Sequence, residues 1–149
     1  MREILFRAKT EPNCKDVITG KIIKNPKWIY GYIDLGYMHD CQSAIISDTK
    51  GNKAYRCQYE TIGQYIGQPC KNGQRIFEGD IGRYKQTDGA KRDGEPIICT
   101  GKVMYNAKTA SYAVEGKDEK GVKYFDYFPI NDFEIIGNIH DNPELLKEG

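Results

Sequence analysis

Short strand-like runs follow one another closely along this chain, and "WIYGYIDLGY" (28–37) among them alternates cleanly between two faces. The turns between the runs are dense in glycine, asparagine, aspartate and lysine. Alternation with a period of two puts successive side chains on opposite faces of an extended segment, which suits a half-buried strand and excludes an amphipathic helix. The runs are "EILFRA" (3–8), "WIYGYIDLGY" (28–37), "SAIIS" (43–47), "AYRCQY" (54–59), "TIGQYIG" (61–67), "QRIF" (74–77), "DIGRYK" (80–85), "PIICTGKVMYN" (96–106), "ASYAVEG" (110–116) and "VKYFDYF" (122–128). Strands at this spacing predict a mainly β chain, a sandwich or small barrel. The one convincing helix is short and lies at the C-terminal end: Asp141 or Asn142 as cap, Pro143 in the first turn, and Glu144 where the helix dipole favours negative charge. The polar stretch "QTDGAKRDGE" (86–95) reads as a long flexible loop.

A chain of 149 residues holds one domain, or one domain with a small appendage, and buries a core without covalent staples. Its charge is nearly balanced at +1, although 29% of the residues are charged. A protein that binds nucleic acid through bulk charge carries a clear excess of Lys and Arg, so any such contact here must be local. Cysteines at 14, 41, 57, 70 and 99 form no closely spaced pair, which argues against a zinc ribbon or a redox motif. Their odd number argues against a closed disulfide framework. With no signal-peptide pattern and no long apolar run, the expectation is a cytoplasmic protein without membrane contact.

The densest stretch is "GQPCKNGQRIFEGDI" (67–81). Asn72-Gly73 suits a type I′ hairpin turn, since both residues accept a left-handed backbone. In "EGD", Gly79 supplies a positive φ and Asp80 can accept a backbone N–H, as aspartate does in turns. The rival reading makes Glu78 and Asp80 a general acid/base pair or half of a magnesium site. No third acidic or histidine ligand lies nearby, and metal sites need several, so the turn is the expected role of Asn72, Gly73, Glu78, Gly79 and Asp80.

"TIGQYIGQPCKNGQRIFEGDI" (61–81) resembles the signature of the YopX family, small proteins of phages and prophages in low-GC Gram-positive bacteria. Gly63, Gln64, Tyr65, Gly67, Lys71, Asn72, Gly73, Ile76, Glu78, Gly79, Asp80 and Ile81 carry the likeness. "ILFRA" (4–8) and "FEIIGNIHDNPELL" (133–146) agree in order. Three positions depart from the pattern: Cys70 stands where the family has aspartate, Phe77 where it has tyrosine, and Gly82 where it has an aliphatic residue. Gly82 is expected to mark a bulge or a close backbone approach. The resemblance implies an SH3-like β-barrel over 61–149, an N-terminal β extension over 1–60, and a bacterial host cell. It implies no activity.

Residue patterns for chemistry are sparse. His39 and Cys41, with Asp34 and Asp40 close by, lack the partner pair that a zinc site needs. Pro69-Cys70 lacks the second cysteine and the His-x-Glu of a zinc deaminase. His140 has no recognisable nucleophile or orienting partner. No glycine-rich phosphate loop opens a helix, which speaks against nucleotide hydrolysis. No catalytic residue, metal ligand or cofactor is therefore expected.

Two features point to binding instead. In "WIYGYIDLGY", Trp28, Tyr30 and Tyr32 share one strand face, and Ile29, Ile33 and Leu35 share the other. The aromatic face is either buried against the barrel or another subunit, or a platform on which bases stack. In "RYKQTDGAKR" (83–92), Arg83, Lys85, Lys91 and Arg92 gather around Tyr84 and one acid, Asp88. That segment is the best candidate for phosphate contacts. The alternative is a solvated loop beside an edge strand that lysines guard against unwanted pairing. The expected function is that of a non-enzymatic, nucleic-acid-associated accessory protein. The alternative is a protein-interaction or homo-oligomerisation module with no nucleic-acid role.

Overall fold

The computed structural model describes residues 3–34, 43–86, 89 and 91–147, and the chain divides into two compact units, Met1–Tyr65 and Ile66–Gly149. The motif His39–Asp40–Cys41 and Asp88 lie outside the described residues.

The first unit is built on an antiparallel sheet of β1 (Phe6–Lys9), β4 (Trp28–Asp34), β5 (Ser43–Ser47), β6 (Ala54–Gln58) and the start of β7 (Gly63–Pro69), in the order β6-β5-β4-β1-β7. The pairing register fixes which side chains share a face. Phe6 lies opposite Gly31, Ala8 opposite Ile29, Ile33 opposite Ile46, and Ile46 opposite Tyr55. These residues, with Cys57, form the core face; a ribbon of β2 (Cys14–Lys15) and β3 (Ile22–Ile23) adds Cys14 and Ile23 to the same cluster. Asp16 organises the turn of that ribbon. It is buried, and its carboxylate accepts the Ile18 N–H at 3.0 Å, the Thr19 hydroxyl at 2.6 Å and the Ala54 N–H at 3.1 Å.

In the second unit, β7 turns into β8 (Arg75–Phe77) through 71–73. The turn is not type I′. Only Gly73 has a positive φ, at 87°; its N–H bonds to the Cys70 carbonyl, and the Cys70 N–H bonds to the Gln74 carbonyl. This is a three-residue hairpin loop with a left-handed last residue, and the Asn72 side chain stabilises it by accepting the Gln74 N–H at 3.0 Å. Beyond β8 comes an antiparallel sheet in the order β14-β13-β12-β9-β15. Its strands are β9 (Asp80–Lys85), β12 (Ile98–Asn106), β13 (Ser111–Asp118), β14 (Lys123–Tyr127) and β15 (Glu134–Asn138). The inward set, Tyr84, Cys99, Val103 and Val114, packs with Ile66, Ile76, Ile130 and Phe133 into a second core.

Two glycines on this inner side make room for rings. A methyl group at Gly82 would sit inside the ring of Phe133, and one at Gly116 would collide with the Tyr84 hydroxyl. Opposite Gly82, β15 carries a bulge between Ile135 and Gly137. Gly82 therefore marks both a close approach and a bulge, the latter on the partner strand.

Three expectations need correction. The pairing runs from β14 to β15 and stops, so the sheet is not closed into a barrel among the described residues. The C-terminal helix is a single 3-10 turn, Pro143–Leu146; Asn142 does not cap it, because its side-chain oxygen accepts the Asn138 N–H at 3.2 Å. The stretch 86–95 is not simply a loop, since β10 (Lys91–Arg92) pairs with β11 (Glu95–Pro96). No helix among the described residues is long and apolar enough to cross a membrane.

Candidate nucleic-acid interface

Strand β4 alternates as its sequence requires. Ile29 and Gly31 are buried, while Tyr30 and Tyr32 on the opposite face are 47% and 49% exposed. Trp28 shares that face but is half-buried, because cations from β1 lie over its ring. The Arg7 guanidinium carbon stands 4.7 Å from the ring centroid and the Lys9 Nζ 5.8 Å. The register explains the contact: Lys9 is directly opposite Trp28 and Arg7 directly opposite Tyr30. Side chains paired in this way lie about 4.5–5.5 Å apart at Cβ. On the far side of the sheet, Ile45 faces both Asp34 and Arg56, so the exposed Arg56 belongs to the same face.

The result is a strip of two exposed tyrosine rings and a cation-covered indole, with Lys9 and the buried Arg7 beside it and with Asp34, the buried Ile45 and Arg56 in a row at its far end. A cation over an aromatic ring is attracted by the ring quadrupole, and the contact holds both side chains in place. Flat rings beside positive charge can stack planar bases and approach the phosphates that link them. The sequence carries a signal for these cations, since "FRAK" alternates and puts Arg7 and Lys9 on one face opposite Phe6 and Ala8. What the sequence could not reveal was that this face meets the aromatic one.

The second candidate segment is divided by the fold. Arg83 and Lys85 point outward from β9, but Tyr84 between them is 2% exposed and belongs to the core. It offers no ring to a ligand, and burial pushes its phenol well above the ordinary tyrosine value. Lys91 is exposed on β10. Arg92 is bound to the buried Asp118 at 2.6 Å, which neutralises its charge locally. The segment thus presents Arg83, Lys85 and Lys91 rather than a five-residue basic and aromatic patch.

Glu78, Gly79 and Asp80 form the tight connection between β8 and β9. Gly79 has φ of 88°, its N–H bonds to the Val103 carbonyl, and its carbonyl accepts the Ile139 N–H. Asp80 is 2% exposed and its Oδ2 accepts the Phe77 N–H at 2.8 Å. The carboxylate is directed into its own turn. Among the described residues, no group of three or more His, Cys, Asp or Glu side chains could hold a metal ion.

A family model described as YopX protein matches residues 14–147 of this chain. No curated protein matches it.

Proposed function

The chain belongs to the YopX family, and on that footing we propose that it acts by binding single-stranded nucleic acid, without catalysis, in the phage or prophage setting the family resemblance implies. The observation that carries this reading is the register of β1 against β4, which places Lys9 directly beside Trp28, and the buried Arg7 beside the exposed Tyr30. Tyr30 and Tyr32 are the stacking surfaces. Lys9 and Arg56 meet the backbone, and Arg7 holds Trp28 in place. We read the second unit as an open relative of the SH3-like arrangement, and the host-cell cytoplasm as the site of action. The absorption of Asp80 into a turn supports the non-enzymatic part of the proposal.

A second reading is favoured by the same exposed rings: two copies of the chain could bury Tyr30 and Tyr32 against each other. Fluorescence anisotropy with labelled single-stranded DNA at low salt separates the two. Stacking is worth about 1–3 kcal/mol per base, so Tyr30→Ala with Tyr32→Ala is expected to weaken binding by at least about tenfold. Absence of binding at low salt overturns the nucleic-acid reading. A mass that rises with concentration in light scattering, and falls back in the same variant, supports self-association.

A further inference from the structure

The outer face of the second unit's sheet carries a row of residues in direct cross-strand register. Arg83 on β9 faces Thr100 on β12, Thr100 faces Lys117 on β13, and Lys117 faces Lys123 on β14. Like charges placed directly opposite one another destabilise a sheet. Lys117 and Lys123 are such a pair, and neither makes an ion pair among the described residues. The neighbouring acid, Glu115, faces Lys102 and is engaged with it at 3.6 Å. A cost of this kind, kept at one spot of an otherwise consistent sheet, is what a binding site for an anion looks like before the anion arrives.

The row is not flat surface. Lys102, Glu115, Lys117 and Lys123 line a cavity of about 280 Å³ whose remaining wall includes Leu145 and Leu146 of the C-terminal 3-10 turn. This volume is just under the range of about 300 to 1,000 Å³ for small-ligand pockets, so the cavity suits one compact group, a single nucleotide or the last one of a strand, and not a length of polymer. Two residues along the same face of β14 from Lys123, the ring of Phe125 is 41% exposed. Unbalanced positive charge at one wall and leucine side chains at the other define an anion attached to an apolar body.

We propose that this cavity binds a nucleoside phosphate, with the phosphate between Lys117 and Lys123 and the body against Leu145 and Leu146. The ligand is either a free nucleotide or the phosphorylated end of a strand, which share this chemistry. The site is distinct from the aromatic face of the first unit and does not depend on it.

The test is calorimetric titration of the full chain at low salt with AMP, a 5′-phosphorylated trinucleotide, adenosine and inorganic phosphate. AMP or the trinucleotide is expected to bind, adenosine is not, and the Lys117→Gln, Lys123→Gln double variant is expected to lose at least about tenfold in affinity. Binding of AMP identifies a free nucleotide; binding of the trinucleotide alone, lost in the lysine variant and kept in Tyr30→Ala with Tyr32→Ala, identifies a strand end. The double variant should melt no lower than the parent, because it removes a repulsion, and addition of the bound ligand should raise the melting temperature of the parent only. Tyr30→Ala with Tyr32→Ala should leave this binding intact, which separates failure here from failure of the single-strand reading. No binding of either ester, inorganic phosphate binding as tightly as the ester, or unchanged affinity in the lysine variant overturns the proposal.

Discussion

Two aspartates show how much work a single buried carboxylate does in this fold. Asp80 satisfies the N–H of the buried Phe77. Asp80→Ala removes that buried acceptor and should cost about 1–3 kcal/mol, measurable by urea denaturation. Affinity for single-stranded DNA should stay unchanged. A drop in affinity without a drop in stability would restore a direct role for the turn. Asp16 is the second case. Burial opposes its ionisation, but the Thr19 hydroxyl and the backbone N–H groups of Ala54, Ile18 and Thr19 prevail and hold its pKa down at about 2. A carboxylate depressed in the folded state stabilises above its unfolded pKa, and that stabilisation is lost as pH falls through the folded value. The stability gap between the parent and Asp16→Asn should therefore be full near neutrality and shrink between about pH 4 and pH 2. A gap that does not change across that window would show that Asp16 contributes no charge-dependent stability.

At the scale of elements, glycine positions set how strands approach. Phe133 reaches into the space over Gly82, so Gly82→Ala overpacks the core and should cost about 1–3 kcal/mol. Combining it with Phe133→Leu should recover part of the loss, and a double-mutant cycle measures the coupling. Additive effects would mean that the ring moves aside freely. Strand identity was largely legible from alternation, as β4 illustrates, because a half-buried sheet imposes a period of two on its sequence. Pairing was not legible. Nothing in "FRAK" or "WIYGYID" says that Lys9 stands opposite Trp28, since register is decided by contacts far apart in the chain. The burial of Tyr84 had a signal that went unused. In "DIGRYK" it alternates with Arg83 and Lys85, which assigns it to the opposite face. The place of the turn at 71–73 was legible and its type was not, because the sequence puts Gly73 in the loop without saying whether Asn72 also adopts a positive φ.

Over the whole molecule the charge is close to neutral, with a pI near 7.6, so any nucleic-acid affinity must come from a few placed cations. Single strands give a slope of log K against log salt of about −0.7 per phosphate neutralised, and the two backbone cations Lys9 and Arg56 therefore predict about −1.4. A slope several times steeper would mean that other cations, Arg83 and Lys85 among them, share the load. Packing inside the second unit carries a different kind of long reach. Phe133 occupies the volume that a side chain at 82 would need, and the Tyr84 hydroxyl occupies that of one at 116. Each pair is free to evolve only in step. An aliphatic residue at 82 requires the ring at 133 to move or to shrink, and a side chain at 116 requires the Tyr84 hydroxyl to leave. Descendants of this sequence pass through either a matched exchange or a damaged intermediate, and the two pairs should rise and fall together wherever related chains are aligned.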